Sequence, residues 1–252
     1  MERYYILGDE LMTAITCDLR QASLHDTSDI PNCFRFKDPA SAITHFIGFV
    51  YSIILTPVLL IHASRRGGTT GDLIALAVFM AGMVLFYGAS AAYHSFIVGR
   101  RMEMALKRID HLMIFVQIAG SYTPFCLCVL GHSAFAHKGV VLLCVVWALA
   151  AAGMIFKLFW VTCPKWVSSV IYIGLGWSAL FAIKPLYTVL PGPGFFLLVA
   201  GGVVYTVGGV IYAMKCKHIN SRHPAFGSHE IFHVCVMVGS LMHYLALYLY
   251  SV

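Results

Sequence analysis

Charge is what this chain has least of: Asp, Glu, Lys and Arg make up 11% of its 252 residues, where a soluble domain carries about 25%. That shortage excludes an ordinary soluble fold, and 60% hydrophobic residues with a mean hydropathy of +0.81 put the chain in the membrane class. The first forty residues lack an apolar run preceded by a basic segment, and they hold Asp9, Glu10, Asp18, Asp26, Asp29 and Asp38. They do not read as a secretory signal, so the first true span is expected to target the membrane itself. Cysteine pairs at metal or redox spacing are missing too. Cys17, Cys33, Cys126, Cys128, Cys144, Cys163, Cys216 and Cys235 are scattered, mostly inside apolar runs, where cysteine behaves as a small hydrophobe. No essential disulfide is expected.

The net charge of +6 and the pI near 8.9 do not call for nucleic acid, because the basic residues sit in short loops between apolar stretches. Lysine and arginine flanking spans are the ordinary signature of loops beside anionic lipid. The expected partner is membrane lipid, with no nucleic acid.

A helix needs about 20 mostly apolar residues to cross a bilayer while satisfying its own backbone. Seven stretches qualify, at 43–63, 73–96, 109–130, 139–160, 166–187, 195–214 and 229–251. Pro57, Pro124 and Pro185 fall in the first, third and fifth and predict local kinks. Gly201, Gly202, Gly208 and Gly209 in the sixth predict close helix packing. Upstream, Tyr4–Leu7 and Leu11–Ile15 suit a short surface helix.

Orientation follows from the lysines and arginines. One side collects thirteen: Arg3, Arg20, Arg35 and Lys37 in the N-terminal segment, Arg100, Arg101, Lys107 and Arg108, then Lys157 and Lys165, then Lys215, Lys217 and Arg222. The other side has the remaining four, Arg65, Arg66, Lys138 and Lys184. By the positive-inside rule the N-terminus is cytoplasmic and the C-terminus outside. The fold class is therefore all-α integral membrane: a cytoplasmic extension over 1–40, then a seven-transmembrane helical bundle over 41–252. A multi-pass location in a bacterial plasma membrane is expected.

Ionisable residues inside spans are costly, so each is a functional candidate. His94 closes the second span, Asp110 and His111 open the third, His229 and His233 open the seventh, and His45 opens the first. With alternating span directions, all reach one membrane depth at the cytoplasmic side. His229 and His233 stand four apart, which projects both imidazoles from one helix face. His94 can add a third nitrogen, and three histidines with a water in the fourth position are the ligand set of a catalytic zinc site. Asp110 would orient that water or a ligand histidine. His25, His62, His132, His137, His218 and His223 read instead as interfacial histidines bonded to backbone or water. His45 is at the right depth and could support the site or close the metal. His111 points roughly 100° away from Asp110 around the helix, and His243 lies ~15 Å deeper along its span; neither is taken as a ligand.

At these residues the sequence resembles the hemolysin III family, within the progestin and adipoQ (adiponectin) receptor superfamily. The resemblance covers about 40–250 and rests on Ile43-Thr-His45-x-Ile-Gly48, Ser90-x-x-x-His94, Asp110-His111 followed by Ile118-Ala-Gly-Ser-Tyr-Thr-Pro124, and His229-x-x-x-His233. It implies seven helices with the N-terminus inside, and zinc on His94, His229 and His233 with Ser90 and Asp110 close to the metal and its water. It also implies kinship with membrane hydrolases that include alkaline ceramidases. The expected chemistry is zinc-dependent hydrolysis of a lipid ester or amide from the inner leaflet. Asp110 would be the base or proton shuttle, and Ser90 would hold the water or oxyanion.

Three alternatives stand beside it. His229-Glu230-Ile-Phe-His233 matches HExxH, the metalloprotease pattern in which the glutamate is general base, although a glutamate at a helix start is equally explained by the helix dipole. A lytic, pore-forming protein, as the family name suggests, wants a polar stripe continuous across the bilayer, whereas these polar residues cluster toward one leaflet. A signalling or membrane-homeostasis protein would use zinc structurally, with four protein ligands.

Overall fold

The computed structural model describes residues 36–214 and 226–252. The expected surface helix at Tyr4–Ile15, Cys17, Cys33, Cys216, His25, His218, His223 and the basic residues of 1–35 and 215–225 lie outside the described residues. All regular structure among the described residues is helical: α1 Pro39–Arg65, α2 Thr70–Ser95, α3 Arg100–Pro124, α4 Ala136–Phe159, α5 Lys165–Gly176, α6 Ile183–Val189, α7 Gly192–Met214 and α8 Ser228–Tyr250. A π turn, Phe125–Val129, extends α3, and a 3-10 stretch, Trp177–Ala182, joins α5 to α6. Counting α5 to α6 as one, seven segments of 23 to 30 residues are long and apolar enough to span a membrane. At 1.5 Å per residue even the shortest reaches about 34 Å, past the ~30 Å hydrocarbon core.

The faces are arranged for lipid, not water. On α1, Ile43, Ile47, Ile54, Val58 and Ile61 are exposed, while Ser41, His45, Gly48 and Ser52 are buried. Apolar residues at helical spacing thus point outward and the small or polar ones pack inward. Neighbouring helices pack in chain order from α1 to α4; α5 lies against α7, and α8 packs on both α7 and α1, closing the ring. The α3 segment is the most enclosed, with 67% of its most apolar window buried.

The three prolines act differently. Pro57 sits within an α1 that continues unbroken to Arg65. Pro124 ends the α-helical part of α3, and the chain widens into the π turn directly after it. Pro185 lies in the first turn of α6, where a missing N–H costs little, and the fifth span breaks ahead of it. The backbone groups freed there find a side chain: the Tyr122 hydroxyl accepts from the Ala179 amide at 2.8 Å and donates to the Gly176 carbonyl. That is how a broken helix survives at membrane depth.

Short caps fix the connections. Gly67 takes φ +89°, a left-handed conformation suited to glycine, between α1 and α2. Thr69 and Asp72 then form a capping box, and the second carboxylate oxygen of Asp72 meets His132 Nε2 at 2.8 Å.

Candidate metal centre

α1, α2 and α8 deliver the histidines to one end of the bundle. His94 is in the last turn of α2, His229 and His233 in the first two turns of α8, and the ligand atoms of these three lie within 4.8 Å of one another. His94 and His233 are 4% and 2% exposed, while His229 is half-buried. Among the described residues this is the one group of three such side chains able to hold a metal ion.

Hydrogen bonding sets the tautomers. His94 Nδ1 lies 3.0 Å from Asp38 Oδ2, and a carboxylate accepts, so Nδ1 carries the proton and Nε2 keeps its lone pair. Thr44 Oγ1 spends its single proton on the Ala40 or Ser41 carbonyl, at 3.0 and 2.9 Å. It therefore accepts from His233 Nδ1 at 3.2 Å, which frees His233 Nε2 in turn. His229 Nε2 stands 3.2 Å from His94 Nε2.

Zinc fits this set. Two nitrogens each ~2.0–2.1 Å from one tetrahedral ion stand about 3.3–3.4 Å apart, close to the 3.2 Å between His94 and His229. The Asp38–His94 pair also matches the carboxylate–histidine arrangement that orients metal ligands. Sequence reasoning counted Asp38 only among the acids of the N-terminal segment. The available signal was its place directly before Pro39, since an acid followed by proline at the first helical position reads as a helix start. The segment is held there by the Asp38 amide on the His94 carbonyl at 3.0 Å and by Lys37 Nζ on Glu103 at 2.6 Å. Partial burial works against the Lys37 ammonium, but hydrogen bonds to Glu103 and Tyr93 outweigh it and raise its pKa.

His45 does not join the three. Its ring stacks on His233 at 3.6 Å with the planes 11° apart, and neither of its buried nitrogens has a partner. Glu230 is turned to other work: one oxygen accepts from Ser41 at 2.5 Å and the other from the Gly227 amide at 2.8 Å, capping α8. Both oxygens of the HExxH glutamate are thus engaged by the protein itself. His111, expected to point away, comes back within 3.4 Å of Asp110 while donating to the Lys107 carbonyl at 2.8 Å.

Ser90 and Asp110, 1% and 8% exposed, line a cavity with His45, His229 and His233. It encloses about 180 Å³ and continues past Ile118, Phe125 and Leu186 as far as His243, whose Nε2 bonds the Leu198 carbonyl at 3.1 Å. Its walls are mostly apolar.

The family model described as "Haemolysin-III related" matches residues 35–244. The chain is 39% identical over 217 residues to "Hemolysin-3" of Bacillus cereus, covering 86% of this chain and 93% of that protein. It is 37% identical over 220 residues to "Hemolysin-3 homolog" of Bacillus subtilis (strain 168), covering 87% and 97%. A more distant relative is the human "Monocyte to macrophage differentiation factor", 24% identical over 227 residues, covering 87% of this chain and 86% of that one.

Proposed function

The chain belongs to the hemolysin III family and is a multi-pass integral membrane protein, and from that premise we propose that it is a zinc-dependent hydrolase of a membrane-lipid ester or amide. One observation carries the proposal: His94, His229 and His233 bring their ligand atoms within 4.8 Å of one another, and two of them, His229 and His233, line an apolar cavity together with Asp110 and Ser90. Three protein ligands leave a tetrahedral metal one place for a non-protein group, the arrangement of catalytic zinc. Zinc, when bound, supplies Lewis acidity toward a carbonyl and acidifies water to a pKa of about 7.

The chain's own residues do the rest. Asp38 and Thr44 hold the imidazoles of His94 and His233 with their Nε2 lone pairs inward. Asp110 takes the proton of the attacking water and returns it to the leaving oxygen or nitrogen. The Ser90 hydroxyl, one turn before His94, donates to the carbonyl oxygen as negative charge develops on it. Ile114, Ile118, Phe232 and Val236 cover the acyl chain, each buried methylene contributing about 0.8 kcal/mol.

The test is turnover of a panel of ceramides and phospholipids by purified, zinc-loaded protein. At least one is expected to be cleaved, with kcat falling about 10²–10⁴-fold in Asp110→Ala, the range of general acid–base contributions, and activity lost in His229→Ala. Cleavage that survives both substitutions, or no cleavage of any lipid by zinc-loaded protein, overturns the proposal.

A further inference from the structure

Where α4 hands over to α5, an amine, a thiol and a hydroxyl meet apart from the histidines. Lys157, in the last turn of α4, is 1% exposed, one of the most deeply buried large side chains described. Its Nζ lies 3.0 Å from Cys163 Sγ and 2.6 Å from Ser168 Oγ, and those two atoms are 3.3 Å apart. Among the described residues no carboxylate forms an ion pair with Lys157; the centre of the Tyr172 ring lies 5.9 Å from its Nζ.

Burying an amine without a counter-ion is a poor route to stability. The arrangement does suit a reaction between nitrogen and sulfur: the thiol sits in the short turn 160–164, and the Ser168 hydroxyl holds the amine against it. We propose that Lys157 and Cys163 are a redox-sensitive modification site, closing a covalent N–S bond after peroxide oxidation of the thiol.

The chemistry balances in two steps. Hydrogen peroxide oxidises the Cys163 thiol to a sulfenic acid and releases one water. Nζ of Lys157 then attacks the sulfur; the N–S bond forms, the S–O bond breaks, and the hydroxyl departs as a second water with a proton from nitrogen. One peroxide is reduced to two waters and the pair loses two hydrogens. An external thiol attacks the sulfur, freeing the amine and leaving a mixed disulfide on Cys163, which a second thiol reduces to the free cysteine. Ser168 is a positioning residue. The bond would fix the turn 160–164 to the end of α4, beside Ser168, which lines the cavity.

Purified full-length protein treated with hydrogen peroxide and digested with trypsin gives the test by mass spectrometry. The expected product is a peptide that runs uncleaved through Lys157 to Lys165, two hydrogens lighter than the unmodified sequence, and restored to the cleavable form by dithiothreitol. Its yield should fall several-fold in Ser168→Ala and vanish in Lys157→Arg, with Cys163 still oxidised. It should persist in His229→Ala, which separates this site from the zinc chemistry. Recovery of Cys163 from the wild type as a free thiol, or as sulfinic or sulfonic acid with Lys157 still cleaved, overturns the proposal without reliance on any variant.

Discussion

Asp38 decides which nitrogen His94 offers. With its carboxylate 3.0 Å from Nδ1, the imidazole is locked with Nε2 toward His229; without it, the ring is free to turn and the proton free to change sides. Asp38→Ala is therefore expected to weaken zinc binding about 10–100-fold, the usual effect of removing a partner behind a ligand histidine, while helix content is unchanged. Competition with a graded series of chelators measures this, and wild-type affinity in the variant would show the contact to be idle. The same titration repeated toward acid pH should release zinc as the imidazoles protonate. The three histidines were legible because i, i+4 spacing on α8 and the alternating direction of spans are properties of the chain alone. Asp38 and Thr44 were not, because nothing in their local sequence says that the segment before α1 returns to the end of α2. The same holds for Glu230: the HExxH spacing is visible in the sequence, whereas the Ser41 hydroxyl that engages it comes from another helix, 189 residues away in sequence.

Helices obey the length rule that lipid imposes, so all seven spans could be read from apolar run length with ends shifted by no more than four residues, except that α3 begins at Arg100, nine residues before the expected 109, because its charged first turns lie outside the apolar run. What run length does not show is where a span breaks. Pro185 signalled a disturbance in the fifth span, yet the disturbance occupies Trp177–Ala182, ahead of the proline, because that is where Tyr122 of α3 can serve the loose backbone. Trp177 adds a hydrogen bond from Nε1 to Thr206 of α7 at 2.8 Å. The break is thus a property of three helices. Tyr122→Phe keeps the ring and removes both hydrogen bonds, leaving a buried amide and a carbonyl unpaired at about 1–3 kcal/mol for each such group. A lower midpoint of thermal unfolding in detergent, with little change in helical circular dichroism before the transition, is the expected result. An unchanged midpoint would mean that water or a lipid group replaces the hydroxyl.

At the scale of the whole molecule, the two ends of the bundle differ in both charge and chemistry. The histidine end carries Lys37, the Arg100–Arg101 turn, Lys107 and Arg108, and the Lys157–Lys165 connection, while Arg65, Arg66, Lys138 and Lys184 mark the other. There the chain finishes, with Arg66 Nε donating to the Val252 carbonyl at 3.0 Å. Basic residues near an anionic leaflet are each worth about 1 kcal/mol, and they resist translocation, so the histidine end is predicted to face the cytoplasm. An odd number of spans then requires the termini to lie on opposite sides. Reporter fusions should place residue 1 and the Arg100 turn inside and Val252 outside. Signals from both termini on one side would remove one span from the bundle; an inverted pattern would keep the seven spans but move the three histidines to the outer leaflet. In that case the lipid reaching Asp110 and Ser90 would come from a different pool, and a substrate panel built on inner-leaflet lipids would be the wrong one. The topology measurement therefore comes before the enzymology, because it decides which membrane surface supplies the cavity.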